Sequence, residues 1–218
     1  MLFRDFVNSY NARGQHIKNL QLVARYRNKE GGPLLTYKVA NFCSDKATRS
    51  CDSYYYKDVM EHHLRSEEQR GSGFLSKIAS KKLFIVGDHG PHFSSKATFW
   101  AESKWHETFG FTVEAIFLCS YHAYNLCDGA GAEHTRLALD HNKNNTGRLD
   151  AFGYASLSNS SDRHANSVAI PFAQIARGNN LFPPESFLYC RLDLRKVCHV
   201  TYARAWPRPS VPRGAPLR

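Results

Sequence analysis

The chain has 218 residues, enough for one or two domains with a sizeable buried core. Hydrophobic residues at 42% and charged residues at 22% argue against a disordered chain, and no apolar run approaches the roughly 20 residues a bilayer-spanning helix needs. Lys and Arg number 29 against 19 acidic residues, a net charge of +10, which favours a polyanionic partner such as nucleic acid because each neutralised phosphate releases counterions.

The first 43 residues read as strands. Leu2 to Tyr10 is a short mixed run. Leu20, Leu22, Ala24 and Tyr26 alternate with Gln21, Arg25 and Arg27, the period of a half-buried strand. Asn28 to Pro33 is a turn cluster, and Leu35 to Cys43 is extended again, which predicts a hairpin. Asp52-Ser53 can cap a helix running to about Gln69, with Tyr55, Val59 and His63 on one stripe, and Gly71-Ser72-Gly73 breaks it. Leu83-Phe84-Ile85-Val86 is a continuous apolar run, as in a strand buried on both faces, closed by Gly87-Asp88-His89-Gly90-Pro91.

Ser94 or Ser95 can cap the next helix, which carries Ala97, Trp100, Ala101 and Trp105 and ends at Gly110. Phe111 to Tyr121 is another apolar strand. Cys127 to Ala132 reads as a glycine-rich lead into a helix from about Glu133 to Asn142. Beyond residue 150 the pattern loosens: Ala165 to Ile175 suggests a helix interrupted by Pro171, and Phe187 to Tyr202 suggests two short strands. The proline-rich end from Pro207 reads as a disordered tail. Three strands followed by alternating helices and strands predict an α/β fold with a mixed sheet: an antiparallel three-strand meander, then parallel strand–helix–strand units with flanking helices. The expected divisions are 1–145 as the main α/β domain, 146–206 as an extension packed on it, and 207–218 as the tail.

The cysteines form three pairs, Cys43/Cys51, Cys119/Cys127 and Cys190/Cys198, each eight residues apart. That spacing contains no C-x-x-C knuckle, and Met1 to Asp5 does not open a secretory signal, so free buried thiols are expected. The sequons at Asn144 and Asn159 carry little weight without such a signal. There is no G-x-S-x-G elbow and no G-x-x-x-x-G-K-[ST] phosphate loop.

Three aspartates stand where chemistry could gather. Asp5 lies in the first strand, Asp88 ends the fourth, and Asp128 stands at the start of the helix after the fifth. Neighbouring strand ends converge in an open α/β sheet, so acids distant in sequence can meet there. Three carboxylates together repel one another unless hard, oxygen-seeking cations such as Mg²⁺ neutralise them. Two such ions about 4 Å apart can stabilise the attacking and leaving oxygens of a phosphoryl displacement. Gly87, Gly90, Gly129 and Gly131 would let a nucleic-acid backbone approach. The plainer reading is that each aspartate caps a helix or closes a turn.

At these residues the chain resembles the transposase-derived, ribonuclease H-like proteins of eukaryotic genomes, within the DDE/D transposase and integrase superfamily. Leu83 to Phe93 is similar to that family's apolar strand followed by S-D-x-x-x-x-F, with Gly87 in place of the serine. Val113-Glu114-Ala115-Ile116-Phe117 resembles its E-W-x-F-F strand, Cys127-Asp128-Gly129-Ala130-Gly131 its C-D-G-x-G, and Asp5-Phe6 its N-terminal Asp-Phe. Residues 120–125 replace a loop usually rich in Gly and Lys, and the family's basic pair is represented by His134 and Arg136.

The resemblance covers about residues 1–140 and extends weakly to 200. It implies a ribonuclease H-like fold in which Asp5, Asp88 and Asp128 are catalytic and metal-binding, holding two Mg²⁺ or Mn²⁺ ions for DNA cleavage and strand transfer. Only four residues precede Asp5, so a truncated or domesticated remnant without a separate DNA-binding domain is expected. The resemblance also implies the nucleus as its location. DNA is the expected partner and a homo-oligomer is left open, while neither a membrane nor a small organic cofactor is expected.

Other polar residues rank lower. His92 and His122 could orient a nucleophile but are read as surface or local partners. Glu133 is the runner-up third acid. A Cys119/His122/Cys127 metal cluster is disfavoured, because strand alternation would scatter those side chains. Tyr54-Tyr55-Tyr56 could stack on bases, but at the start of an amphipathic helix it is read as core. The alternative function is a non-catalytic nucleic-acid-binding or protein-interaction relic. A third reading is an unrelated basic α/β protein.

Overall fold

The first three strands form one sheet, and the apolar runs at 83–86 and 113–117 extend it. In the computed structural model the described residues are 2–10, 16–26, 32–33, 35–45, 52–69, 82–88, 90, 92–118, 126–144, 149–161, 167–174 and 199–202. The strands are β1 (Leu2–Tyr10), β2 (His16–Tyr26), β3 (Leu35–Asp45), β4 (Lys82–Asp88), β5 (Thr112–Leu118), β6 (Ser167–Pro171) and β7 (His199–Tyr202). The helices are α1 (Ser53–Gln69), α2 (Lys96–Phe109), α3 (Leu126–Asn144) and α4 (Ala151–Asn159).

The strands lie side by side in the order β6-β3-β2-β1-β4-β5-β7. β1, β2 and β3 pair antiparallel, while β4 pairs parallel with both β1 and β5. The predicted α/β mixed sheet, with its meander and its parallel unit, is the one observed. β6 joins β3 in parallel and β7 joins β5 antiparallel, so the 146–206 segment contributes a strand at each edge.

Pleating divides the side chains between two helical layers. Leu20, Leu22, Ala24, Ala40, Phe42, Ile85, Val113 and Ala115 share a cluster with Tyr55, Tyr56, Val59, Met60 and Leu64 of α1 and with Trp105 of α2. On the opposite side Ile17, Cys43 and Ala169 pack with Ala138 of α3 and Tyr154 and Ala155 of α4. The helix starts follow from their capping residues. Asp52 Oδ1 accepts from the backbone N–H groups of Tyr54 and Tyr55, and Ser95 Oγ from Thr98 N. Asp150 Oδ1 accepts from Gly153 N, and Gly110, at φ +73°, closes α2 in the left-handed region that favours glycine.

Several expectations are corrected. β2 is buried on both sides from Leu20 to Ala24, Gln21 included, because helices cover both faces of the sheet. α3 begins at Leu126, so Cys127 to Ala132 is helix: Cys127, Gly131, His134 and Ala138 recur at spacings of four, three and four and form its buried stripe. Ser167–Pro171 is a strand followed by a single 3₁₀ turn, Phe172–Gln174, where a helix was expected. Val168 and Ile170 are β-branched and pack beside one core, while Ala169 enters the other. Asn159 at the end of α4 pairs with β6: its amide N donates to Ala169 O at 2.9 Å, and its Oδ1 accepts from Ala169 N at 2.8 Å. The tail from residue 207 and most of the 187–202 region lie outside the described residues.

Candidate functional site

The last paired residues of β1 and β4 are Arg4 and Gly87, and the next residue on each strand is one of the predicted acids, Asp5 and Asp88. On the other side of β1, Asp5 stands in register with Gln21 of β2, and Gln21 in turn with Asn41 of β3. One row across the sheet therefore runs Asp88, Asp5, Gln21, Asn41. Only the backbone of Asp5 is described. Asp128 sits in the first turn of α3, where its charge suits the positive end of the helix dipole, and it is exposed. The preceding residue ties that turn to the same row: Cys127 Sγ donates to the Gln21 backbone carbonyl at 3.6 Å.

Asp88 is half-buried, and its Oδ1 accepts from Gly90 N at 2.9 Å. Gly90 O in turn accepts from Phe93 N, Ser94 N and Ser94 Oγ, each at 3.0 Å, so the carboxylate is built into the turn that leads to α2. A Cβ at Gly90 would lie 2.9 Å from Asp88 Oδ1. A side chain at this position would therefore push the Asp88 carboxylate away from the Gly90 N–H. Gly129 is exposed with open space around it, whereas Gly131 is buried on the α3 stripe. Among the described residues no three carboxylate, imidazole or thiol groups gather closely enough to hold a metal ion.

The other candidates resolve into packing. Tyr55 and Tyr56 are core residues, their hydroxyls donating to Phe42 O at 2.7 Å and to Glu102 Oε1 at 2.8 Å. His92 meets the Phe93 ring edge-on. Glu133 is exposed, two turns into α3. Cys43 and Cys127 are buried; Cys119 and His122 lie outside the described residues, as do Cys51, Cys190 and Cys198.

Sequence reasoning missed the buried polar network beside the row. Asn19 Nδ2 and Gln21 Nε2 both donate to Asn41 Oδ1, each at 2.8 Å. Asn41 therefore presents its Nδ2 to His134 Nε2, 3.1 Å away, and that ring nitrogen must accept. The imidazole proton then sits on Nδ1 and is donated to Ser158 Oγ at 3.2 Å. All five residues are buried. Gln21 Oε1 is also buried and accepts no hydrogen bond among the described residues. Asn19 and Gln21 two apart on β2, with Asn41 on β3, were the available signal. They read as the wet side of a half-buried strand.

Among the described residues no helix is long and apolar enough to cross a membrane. The chain matches no protein-family model, no curated protein and no solved structure.

Proposed function

We propose that this chain is a ribonuclease H-like domain of the DDE/D transposase and integrase type, acting on DNA phosphodiesters, with the nucleus as its place of action. The observation that carries the reading is the β1–β4 register, whose last pair, Arg4 and Gly87, immediately precedes Asp5 and Asp88 on neighbouring parallel strands. The central order β3-β2-β1-β4-β5 and the anchoring of the Asp128 turn over Gln21 support it, as does the net charge of +10.

The donors fit a hard cation. They are carboxylates together with one orphaned buried amide oxygen, Gln21 Oε1, in register with Asp5. Asp5, Asp88 and Asp128 would hold two Mg²⁺ or Mn²⁺ ions, which supply Lewis acidity to the attacking and leaving oxygens of the phosphodiester. The chain's own part is positional. The Gly90 N–H fixes one oxygen of Asp88 and so sets the direction of the other. The first turn of α3 carries Asp128 on a helix held to β2 through Cys127. Excess basic side chains neutralise the phosphates flanking the cut.

The test is nicking of labelled DNA by the full chain in Mg²⁺ or Mn²⁺, beside Asp88→Asn. Loss of several kcal/mol of transition-state stabilisation corresponds to a fall of about 100-fold or more in Asp88→Asn. Equal nicking by both proteins overturns the reading. A second reading is favoured by the commitment of Asp88 Oδ1 to its own turn. In this relic, DNA binding persists, neither protein nicks, and Asp88→Asn changes only stability.

A further inference from the structure

We propose that Gln21 is an additional ligand of the cation site, its side-chain carbonyl supplying a neutral oxygen donor on the side of Asp5 away from Asp88. The inference rests on the metal-dependent reading above and extends it to a residue outside the three aspartates.

Gln21 is 0% exposed, in a strand covered on both faces. A glutamine kept there for packing alone would use both ends of its amide, because a buried carbonyl without a partner is costly. Its neighbours do so. Asn41 accepts through Oδ1 and donates through Nδ2, and Asn19 donates through Nδ2 and faces the Cys43 thiol with Oδ1. Gln21 commits Nε2 to Asn41 and leaves Oε1 over. It is also the member of the network next to β1, directly in register with Asp5.

The network fixes which end is left over. Asn41 Oδ1 can take only donors from Gln21 and Asn19 while Asn41 Nδ2 serves His134. His134 is itself held from its other nitrogen by Ser158. Five residues from two strands and two helices thus turn an amide carbonyl into the uncommitted end beside an aspartate.

The row geometry suits two ions. Asp88, Asp5 and Gln21 occupy three adjacent strands, so the two gaps between them are about 4.8 Å apart, one strand spacing. That is close to the roughly 4 Å separation of paired catalytic cations. Asp5 stands at the centre of this row, with Asp88 on one flank and Gln21 on the other. Amide oxygens are accepted ligands of hard divalent cations.

The experiment uses Mn²⁺ alone as the probe on the full chain, free Mn²⁺ being read by electron paramagnetic resonance during titration. The melting midpoint is measured with and without the ion. Wild type binds saturably and melts higher in Mn²⁺. Gln21→Met, of similar length but without the oxygen, binds about tenfold more weakly or worse. Gln21→Glu keeps an oxygen and adds charge, and binds at least as tightly as wild type. If Gln21→Met binds with wild-type affinity while Asp88→Asn loses the ion, the Gln21 assignment is overturned and the aspartate site stands. If wild type shows no saturable binding, the metal-dependent reading itself fails. Should Gln21→Met not fold, Gln21→Glu decides: affinity below wild type overturns the assignment.

Discussion

The two faces of the sheet are built on opposite principles. Beneath α1 and α2 the contacts are aliphatic and aromatic: Phe42, Tyr55, Tyr56, Phe93 and Trp105 fill the space, with Tyr55 stacked on Phe172 at 4.3 Å and Tyr56 edge-on to Phe93 at 5.3 Å. Beneath α3 and α4 the same depth is occupied by Asn19, Gln21, Asn41, His134 and Ser158 beside an apolar cluster of Ile17, Leu149, Tyr154 and several alanines. Hydrophobic burial stabilises the first face by about 1.5–3 kcal/mol for each large side chain. The second gains only about 1 kcal/mol for each satisfied hydrogen bond and loses more wherever one is unmade. The polar face is also the one that meets Asp5 in register and holds the turn bearing Asp128. One face carries the stability, and the other spends some of it on fixing the direction of polar groups.

The comparison is broken most sharply on the apolar side. Phe42→Ala removes a fully buried ring and is expected to cost about 3–5 kcal/mol in urea unfolding. A cost under about 1 kcal/mol would mean that the helices collapse onto the gap and that this face is not closely packed.

On the polar side, Asn41→Leu strands the donors of Asn19 and Gln21 and the acceptor of His134, and about 2–3 kcal/mol of destabilisation is expected. Replacing Asn19, Gln21, Asn41 and His134 together by apolar residues of similar size should recover much of that loss, because no polar partner is then left unpaired. A combined variant less stable than Asn41→Leu alone would show the network to be a net stabiliser.

The smallest effects come from one cap on each face. Ser95→Ala at α2 and Asp150→Ala at α4 should each cost about 1 kcal/mol in thermal or urea unfolding. A much larger loss for Ser95→Ala would assign energy to the 2.6 Å contact between Ser95 Oγ and Ser53 Oγ that joins the starts of α2 and α1.

What could be read from the sequence divides along the same line. The apolar face announces itself: Leu20, Leu22 and Ala24 give the strand period, Leu83 to Val86 gives a buried strand, and Asp52 and Ser95 mark helix starts. Hydrophobic periodicity is a local signal, and these elements obey it. The polar face hides. Gln21 and Asn19 alternate with leucine as solvent-facing residues would, and their burial is decided by α3 and α4, more than 100 residues downstream. Gly129 and Gly131 suggest a loop, although both lie within α3, Gly131 on its buried stripe. Residues 151–159 give little contrast because Ala151, Tyr154, Ala155 and Ser158, at helical spacing, mix small and polar side chains. Of the candidate site, the strand-end position of Asp88 was legible, and the β1–β4 register sets Asp5 beside it; that Gln21 continues the row required the pairing of β1 with β2.

The pairing of Asn159 with Ala169 bears on how copies of this chain can meet. β6 is an outermost strand, and such strands are templates for aggregation because their peptide groups face outward without partners. Here one side-chain amide takes both the N–H and the C=O of the middle residue, imitating an eighth strand for one residue. The strand is five residues long and ends in Pro171, which has no N–H to offer. Among the described residues, a single asparagine thus takes the peptide groups of the middle residue of this strand, which works against self-association by sheet extension on this flank.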